Sequence, residues 1–265
     1  MAQQAIKIRP VALPAEHGGW ALIVEPIVLG LFIAPTLVGL FIALVAFACF
    51  LTRHPLKIAI GDRRKKLGLR RTSLADRFAL FYVTLAIIFF AIIVTSAARE
   101  SLLPLLISAP IVLVQFFYDA QGQSRKVIPE IAGALAVGAI STAIALAGGW
   151  PKPMAYALWI IVTCRHVPTI LYLRVLLSRR RKQQRAGIIG AVIAVQLLAV
   201  MAVLLLLFFK MVPALALVVF VVLFIRALIG LLSRTTPVPK KLGIAEIAFG
   251  AFVVLLVGAG YRLGW

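Results

Sequence analysis

Apolar residues run along this chain in nine long stretches, each closed by a short polar or charged break. They cover about residues 18–34, 36–52, 77–97, 102–118, 129–149, 153–177, 187–209, 212–232 and 243–261. A helix needs roughly 20 apolar residues to cross a hydrocarbon core of ~30 Å, so each stretch reads as a membrane span. The first two are short and meet at Ala34-Pro35, where one re-entrant hairpin is an alternative to two crossings. Residues 1–17 are polar, with no apolar core of the kind a cleavable signal carries. The predicted fold class is all-α: a polytopic membrane helix bundle of about nine transmembrane helices. Residues 1–265 form a single membrane domain, with 1–17 an N-terminal segment and 18–262 the transmembrane bundle.

Composition agrees with the pattern. A mean hydropathy of +1.08 and 63% apolar residues exclude an ordinary soluble domain. The net charge of +20 could suggest nucleic acid, but its distribution does not. Of the 28 basic residues, 22 lie in the N-terminal segment or on alternate turns, around 53–77, 125–126, 174–185 and 234–241. Such a bias orients a membrane protein, placing the N-terminus in the cytoplasm and, with nine spans, the C-terminus outside. The expected partner is the bilayer with its anionic headgroups, and no nucleic acid. Cys49 and Cys164 fall inside apolar stretches and have no metal-type spacing, so both read as small core residues and no metal site is expected.

Three of the spans contain carboxylates, Glu25, Glu130 and Glu246, and the sixth contains Arg165. An ion at membrane depth costs at least ~2.5–3.5 kcal/mol on insertion scales, so it faces the protein interior and finds a partner. Glu25 lies eight residues past His17, roughly 12 Å into the first helix at 1.5 Å per residue. A Glu25–Arg165 ion pair across the bundle is the specific expectation, structural or catalytic in role. Pro14 and Glu16 suit the start of that helix, Gly18 and Gly19 permit close approach, and Trp20 fits an interfacial belt. Glu16 beside His17 could relay a proton.

After the second span comes the most basic stretch, from Arg53-His54-Pro55-Leu56-Lys57 through Asp62 to Arg70-Arg71-Thr72-Ser73. It reads either as a solvated orienting loop or as an anion-binding cap, with Thr72 or Ser73 capping the next helix and Asp76 completing a capping box. A second polar turn, Tyr118-Asp119-Ala120-Gln121-Gly122-Gln123-Ser124-Arg125-Lys126, joins the fourth and fifth spans and should line a watery pocket. Pro168 is expected to kink or break the sixth helix just past His166, with Tyr172 and Arg174 beyond it. Arg53-His54 and Arg165-His166 stand 112 residues apart, and Glu16 and Glu130 stand 114 apart. Glu246-Ile247-Ala248 echoes Glu130-Ile131-Ala132. The spacing marks either a parallel four-helix duplication or a coincidence.

Several of these stretches resemble the YwiC-like family of bacterial membrane proteins: Leu13-Pro14-Ala15-Glu16-His17-Gly18-Gly19-Trp20, Arg53-His54-Pro55-Leu56-Lys57, Tyr118-Asp119 with Gly122 and Ser124-Arg125, Pro168 with Leu171-Tyr172-Leu173-Arg174, and Gly243-Ile244-Ala245-Glu246-Ile247. That resemblance implies a multi-pass protein of the bacterial cytoplasmic (inner) membrane and carries no assigned activity. More distantly the chain resembles the UbiA-type membrane prenyltransferases, nine-helix proteins whose functional loops follow the second and sixth helices. Asp62-Arg63 with Arg70-Arg71-Thr72-Ser73 is similar to the end of their first motif. Their acid-rich motifs hold Mg²⁺ against a diphosphate. Here only Asp62 remains of the first, and Tyr172 to Lys182 contains no acid, so Mg²⁺ is doubtful and no cofactor is expected.

The resulting expectation is a UbiA-like membrane transferase, or a protein handling anionic or isoprenoid lipid, with a cavity on the cytoplasmic side. The alternatives are a small-solute or ion transporter and a non-enzymatic assembly factor. Glu25, His54 and His166 are the candidates for acid–base chemistry. Glu16, His17, Arg53, Lys57, Asp62, Asp119, Arg125, Glu130, Arg165, Tyr172, Arg174 and Glu246 are the candidates for binding, Arg offering paired donors to an anion.

Overall fold

Ten α-helices account for nearly all of the backbone of the described residues, as they must where no water can satisfy peptide groups. The computed structural model describes residues 8–14, 17–66, 70–96, 98–179, 186–233 and 238–264. The helices are α1 (Arg9–Ala12), α2 (His17–Ile33), α3 (Leu37–Arg64), α4 (Arg70–Thr95), α5 (Leu102–Ala120), α6 (Val127–Ala147), α7 (Lys152–Arg179), α8 (Ala186–Phe208), α9 (Ala214–Leu232) and α10 (Pro239–Leu263). Eight of them are long and apolar enough to cross a membrane, and α2 is a shorter apolar helix. Among the described residues there is no strand, so the chain is an all-helical, multi-pass bundle.

Most helix limits follow the expected spans; the exceptions are informative. α3 and α7 each run for 28 residues; α7 keeps close to its expected span, whereas α3 runs well past the apolar stretch that seeds it. The expected loop after the second span is therefore helix as far as Arg64, with Pro55 inside it. Arg and Lys are good helix formers, so a basic segment continues a helix it does not need to bury. Pro168 likewise lies within continuous α7 and does not end it. Threonine hydroxyls near both prolines return to carbonyls one turn back, Thr52 to Ala48 at 2.9 Å and Thr169 to Arg165 at 2.7 Å.

α6 is the hub, packing on α2, α3, α5 and α7. Its inward positions are small, with Ala134, Ala139 and Ala143 wholly buried, which lets four neighbours approach one axis. Gly138 receives the Trp159 ring, whose Nε1 donates to the Leu135 carbonyl at 2.7 Å. The largest apolar core joins α2 and α6 to α7 through α10, and a smaller one joins α2, α3 and α6. Leu80, Phe81 and Ile87 of α4 face outward, as lipid contact requires.

The expected N-terminal polar segment contributes α1, whose Val11 packs with Ala59 of α3 and Ala75 of α4. At one end of the bundle Tyr261 donates to the Met211 carbonyl at 2.9 Å, Arg262 to that of Phe32 at 3.0 Å, and Lys152 pairs with Glu100 at 2.8 Å. The opposite end gathers the finish of α3, α5 and α7 with the start of α6, and carries most of the basic side chains. The packing of α3 on α4 is repeated by that of α7 on α8, one four-helix period on, and α8 also packs on α9.

Candidate functional site

Two polar clusters stand out, one within the helix bundle and one at its basic end. The inner one is assembled by four helices. α7 supplies Arg165, His166 and Thr169, α2 supplies Glu25, α10 supplies Glu246, and α9 supplies Arg226. Arg165 is 3% exposed, so its charge needs partners within the protein. Its Nε lies 3.5 Å from a Glu25 carboxylate oxygen, and one Nη donates to Glu246 at 3.2 Å. The other Nη donates to Thr169 at 2.5 Å. His166 Nε2 lies 3.2 Å from the Glu25 oxygen that faces Arg165.

The cluster continues to Arg226, which pairs with Glu246 and lies over the Tyr172 and Phe249 rings, 4.9 Å and 4.2 Å from their centroids. Cation–π contact of this kind is worth about 0.5–2 kcal/mol. Two glycines make room: a Cβ at Gly250 would overlap the Glu25 carboxylate, and one at Gly230 would overlap the Tyr172 hydroxyl. Beside the cluster is a cavity of about 10 Å³, lined by Glu25, Arg165 and His166 with apolar side chains of α2, α7 and α10. That is room for one water.

At the basic end Arg53 pairs with Asp119, its Nη donating to the second carboxylate oxygen at 3.0 Å. Asp119 is buried while the Arg53 side chain is 26% exposed. One helical turn on, Lys57 donates to Ser124 at 2.6 Å. A ring nitrogen of His54 lies 3.0 Å from the Pro10 carbonyl. Arg174 donates to Glu130 at 2.8 Å and to the Arg125 carbonyl. The turn between α5 and α6 bends at Gly122, φ +71, and shapes an open pocket of about 530 Å³. Among the described residues, Lys57, Gly122, Gln123, Ser124, Arg125 and Lys126 line it. Its size is that of a small-ligand site.

The structure thus divides the sequence candidates. Glu25, Arg165, His166, Tyr172 and Glu246 meet in the inner cluster, where the expected Glu25–Arg165 pair forms. Arg53, His54, Lys57, Asp119, Arg125, Glu130 and Arg174 gather at the basic end. Glu16 and the side chain of His17 lie outside the described residues. Asp62 stands apart, accepting from Arg71 at 2.9 Å and Thr72 at 2.9 Å. The expected capping box does not form: α4 already begins at Arg70, Thr72 faces Asp62, and Asp76 pairs with Arg63 at 2.8 Å. Gly18 has no close neighbour, whereas Gly19 lies against Phe50. Arg226, Thr169 and the pocket residues Gln123, Ser124 and Lys126 were not among the candidates. Arg226 satisfied the same criterion as Arg165, a cation inside an apolar stretch.

The Mg²⁺ that the UbiA-type resemblance would imply does not fit these side chains. Asp62 is taken by Arg71 and Thr72, and Asp119 by Arg53. Among the described residues no three His, Cys, Asp or Glu side chains converge as a metal site would need.

Searches of curated proteins and of solved structures find no match. The family model described as YwiC-like protein matches residues 13–145, from the approach to α2 to the end of α6. That stretch holds Glu25, Arg53, Lys57, Asp119 and Glu130, and the helical bundle built on it is multi-pass. This chain belongs to the YwiC-like family.

Proposed function

We propose that this protein binds an anionic lipid monophosphate, a phosphatidic acid or a polyprenyl phosphate, in the pocket at its basic end. That end faces the cytoplasm of a bacterial inner membrane, by the positive-inside bias of its loops. The observation that carries the reading is the pocket lining, where Lys57 and Lys126 meet the Ser124 hydroxyl beside Arg125. Cations contact an oxyanion directly through charge-assisted hydrogen bonds, Arg as a planar fork and Lys as a point charge. Ser124 adds a hydroxyl, and Arg53 and Asp119 buttress α3 against α5 nearby. Transfer of a group to or from the lipid, in the manner of a UbiA-like transferase, is the finer form of this reading. His54, three residues before Lys57 and so on the same helix face, would then do the acid–base work.

A solute transporter is the second reading, supported by ions held within the spans. The inner cavity of about 10 Å³ weighs against it, because it offers passage to nothing larger than water. The test is native mass spectrometry of the detergent-purified protein with a polyprenyl monophosphate, phosphatidic acid, phosphatidylcholine or inorganic phosphate. Retention of a lipid monophosphate over phosphatidylcholine is expected, weakened about tenfold or more by the Lys57→Gln, Lys126→Gln double variant. Preference between the two monophosphates identifies the lipid. Equal retention of phosphatidylcholine, or binding of inorganic phosphate alone, overturns the reading.

A further inference from the structure

We propose that Glu25 and His166 form a proton-binding site inside the membrane, where α2, α7 and α10 meet, and that its proton exchanges through one enclosed water. Charge balance is the first support. Glu25 and Glu246 face Arg165 and Arg226, two charges of each sign, so the cluster is neutral with His166 uncharged. Guanidinium does not deprotonate in proteins, and Glu246 is engaged by two of them. The Glu25–His166 pair is therefore where the charge of the cluster can change.

Geometry is the second support. At 3.2 Å, His166 Nε2 and the Glu25 carboxylate share one hydrogen bond, so an added proton belongs to the pair as a unit. Uptake turns carboxylate and neutral imidazole into carboxylate and imidazolium, the proton being delivered from hydronium by way of the water. The third support is what the protein leaves unfilled. His166 is 4% exposed and its Nδ1 has no hydrogen-bond partner, nor has Arg165 Nε. An orphaned buried polar atom is costly, and both residues line the one-water cavity. A water there completes the imidazole and gives it a route for exchange.

The surrounding charges define what the proton does. α2 presents Glu25, α7 presents Arg165 and His166, α10 presents Glu246, and α9 presents Arg226. α3 and α6, which also pack on α2, carry Arg53, His54, Lys57 and Glu130 in the basic-end cluster. Arg165 keeps Glu246 and Thr169 whatever happens to Glu25. Protonating His166 places a second cation beside Glu25, so uptake tightens α2 on α7 and leaves the α7–α9–α10 layer intact. This site is independent of the lipid pocket.

The experiment is nitrogen NMR of the full chain in nanodiscs, with histidine labelled on both ring nitrogens. The His17→Gln, His54→Gln double variant leaves His166 as the single histidine. The same signal is identified in the unsubstituted protein as the one lost in His166→Gln. The expected result is one imidazole passing from its singly to its doubly protonated form as the pH is lowered. In Glu25→Gln, or in Glu25→Asp where Gln does not fold, the transition should move to lower pH because the imidazolium loses or lengthens its contact with a carboxylate. A His166 ring that keeps one protonation state throughout, or a midpoint indifferent to both Glu25 variants, overturns the assignment.

Discussion

Arg53-His54 and Arg165-His166 occupy comparable heights on two helices of equal length, yet they live in different surroundings. Arg53 lies 11 residues before the end of α3 and Arg165 lies 14 before the end of α7, about 17 Å and 21 Å from the basic end. Arg53 meets one carboxylate on α5 and keeps a quarter of its side chain open. Arg165 is enclosed between two carboxylates, from α2 and α10. The neighbouring histidines repeat the contrast. His54 reaches the Pro10 carbonyl near the surface, and His166 is buried against Glu25. What differs is not the dipeptide, nor the number of helices that pack on its helix, but what reaches it. α3 packs on α1, α2, α4, α5 and α6, yet Arg53 pairs with the end of α5, whereas side chains of α2 and α10 close over Arg165. The same pair of residues gives an accessible cation in one place and a sealed charge network in the other.

The contrast makes its largest prediction about stability. Arg165→Ala leaves two carboxylates short of a partner in a dry setting and should cost about 3–5 kcal/mol. Arg53→Ala leaves Asp119 near solvent and should cost roughly 1–2 kcal/mol. Thermal or denaturant unfolding in detergent measures both, and equal losses would erase the distinction between the sites. A subtler perturbation keeps every charge. Gly250→Ala pushes on the Glu25 carboxylate and should cost about 1–3 kcal/mol through displaced packing. Gly61→Ala on α3 meets open space and should stabilise the helix by about 0.5–1 kcal/mol. If both alanines stabilise, the inner cluster is not tightly packed. Smallest of all is Lys57→Gln, which should change stability by no more than about 0.5 kcal/mol while lowering retention of a lipid monophosphate. A large loss of stability would make Lys57 structural and move the pocket out of consideration.

The spans were legible because hydrophobic length is set by the bilayer and needs no tertiary knowledge. The Glu25–Arg165 pair was legible for a related reason: two opposite charges at membrane depth have few ways to be satisfied. The participation of Glu246 and Arg226 in one network was not, because it depends on how α9 and α10 fold back on α7. Polarity misled at Arg53–Arg64, where basic residues were read as loop although they favour helix. It misled again at Thr72, whose hydroxyl was assigned to its own helix and instead serves Asp62 on α3. Local signals failed where a long-range partner competed with them. The 112-residue spacing matches the two 28-residue helices and their packing on α4 and α8, while α8 has α9 as a further neighbour.

The brevity of α2 has a consequence for the lipid around it. Its 17 residues rise only about 26 Å, several ångströms less than a typical hydrocarbon core. Val24, Val28 and Phe32 face outward along that rod, so its length is what the acyl chains meet. A bilayer that matches this flank must thin there, while α3 next to it, at 28 residues, is longer than the hydrocarbon core needs. Such hydrophobic mismatch costs fractions of a kcal/mol per Å and favours short-chain or disordered lipid at the thin edge. The protein therefore carries its own annulus of uneven thickness, shallowest beside the helix that bears Glu25.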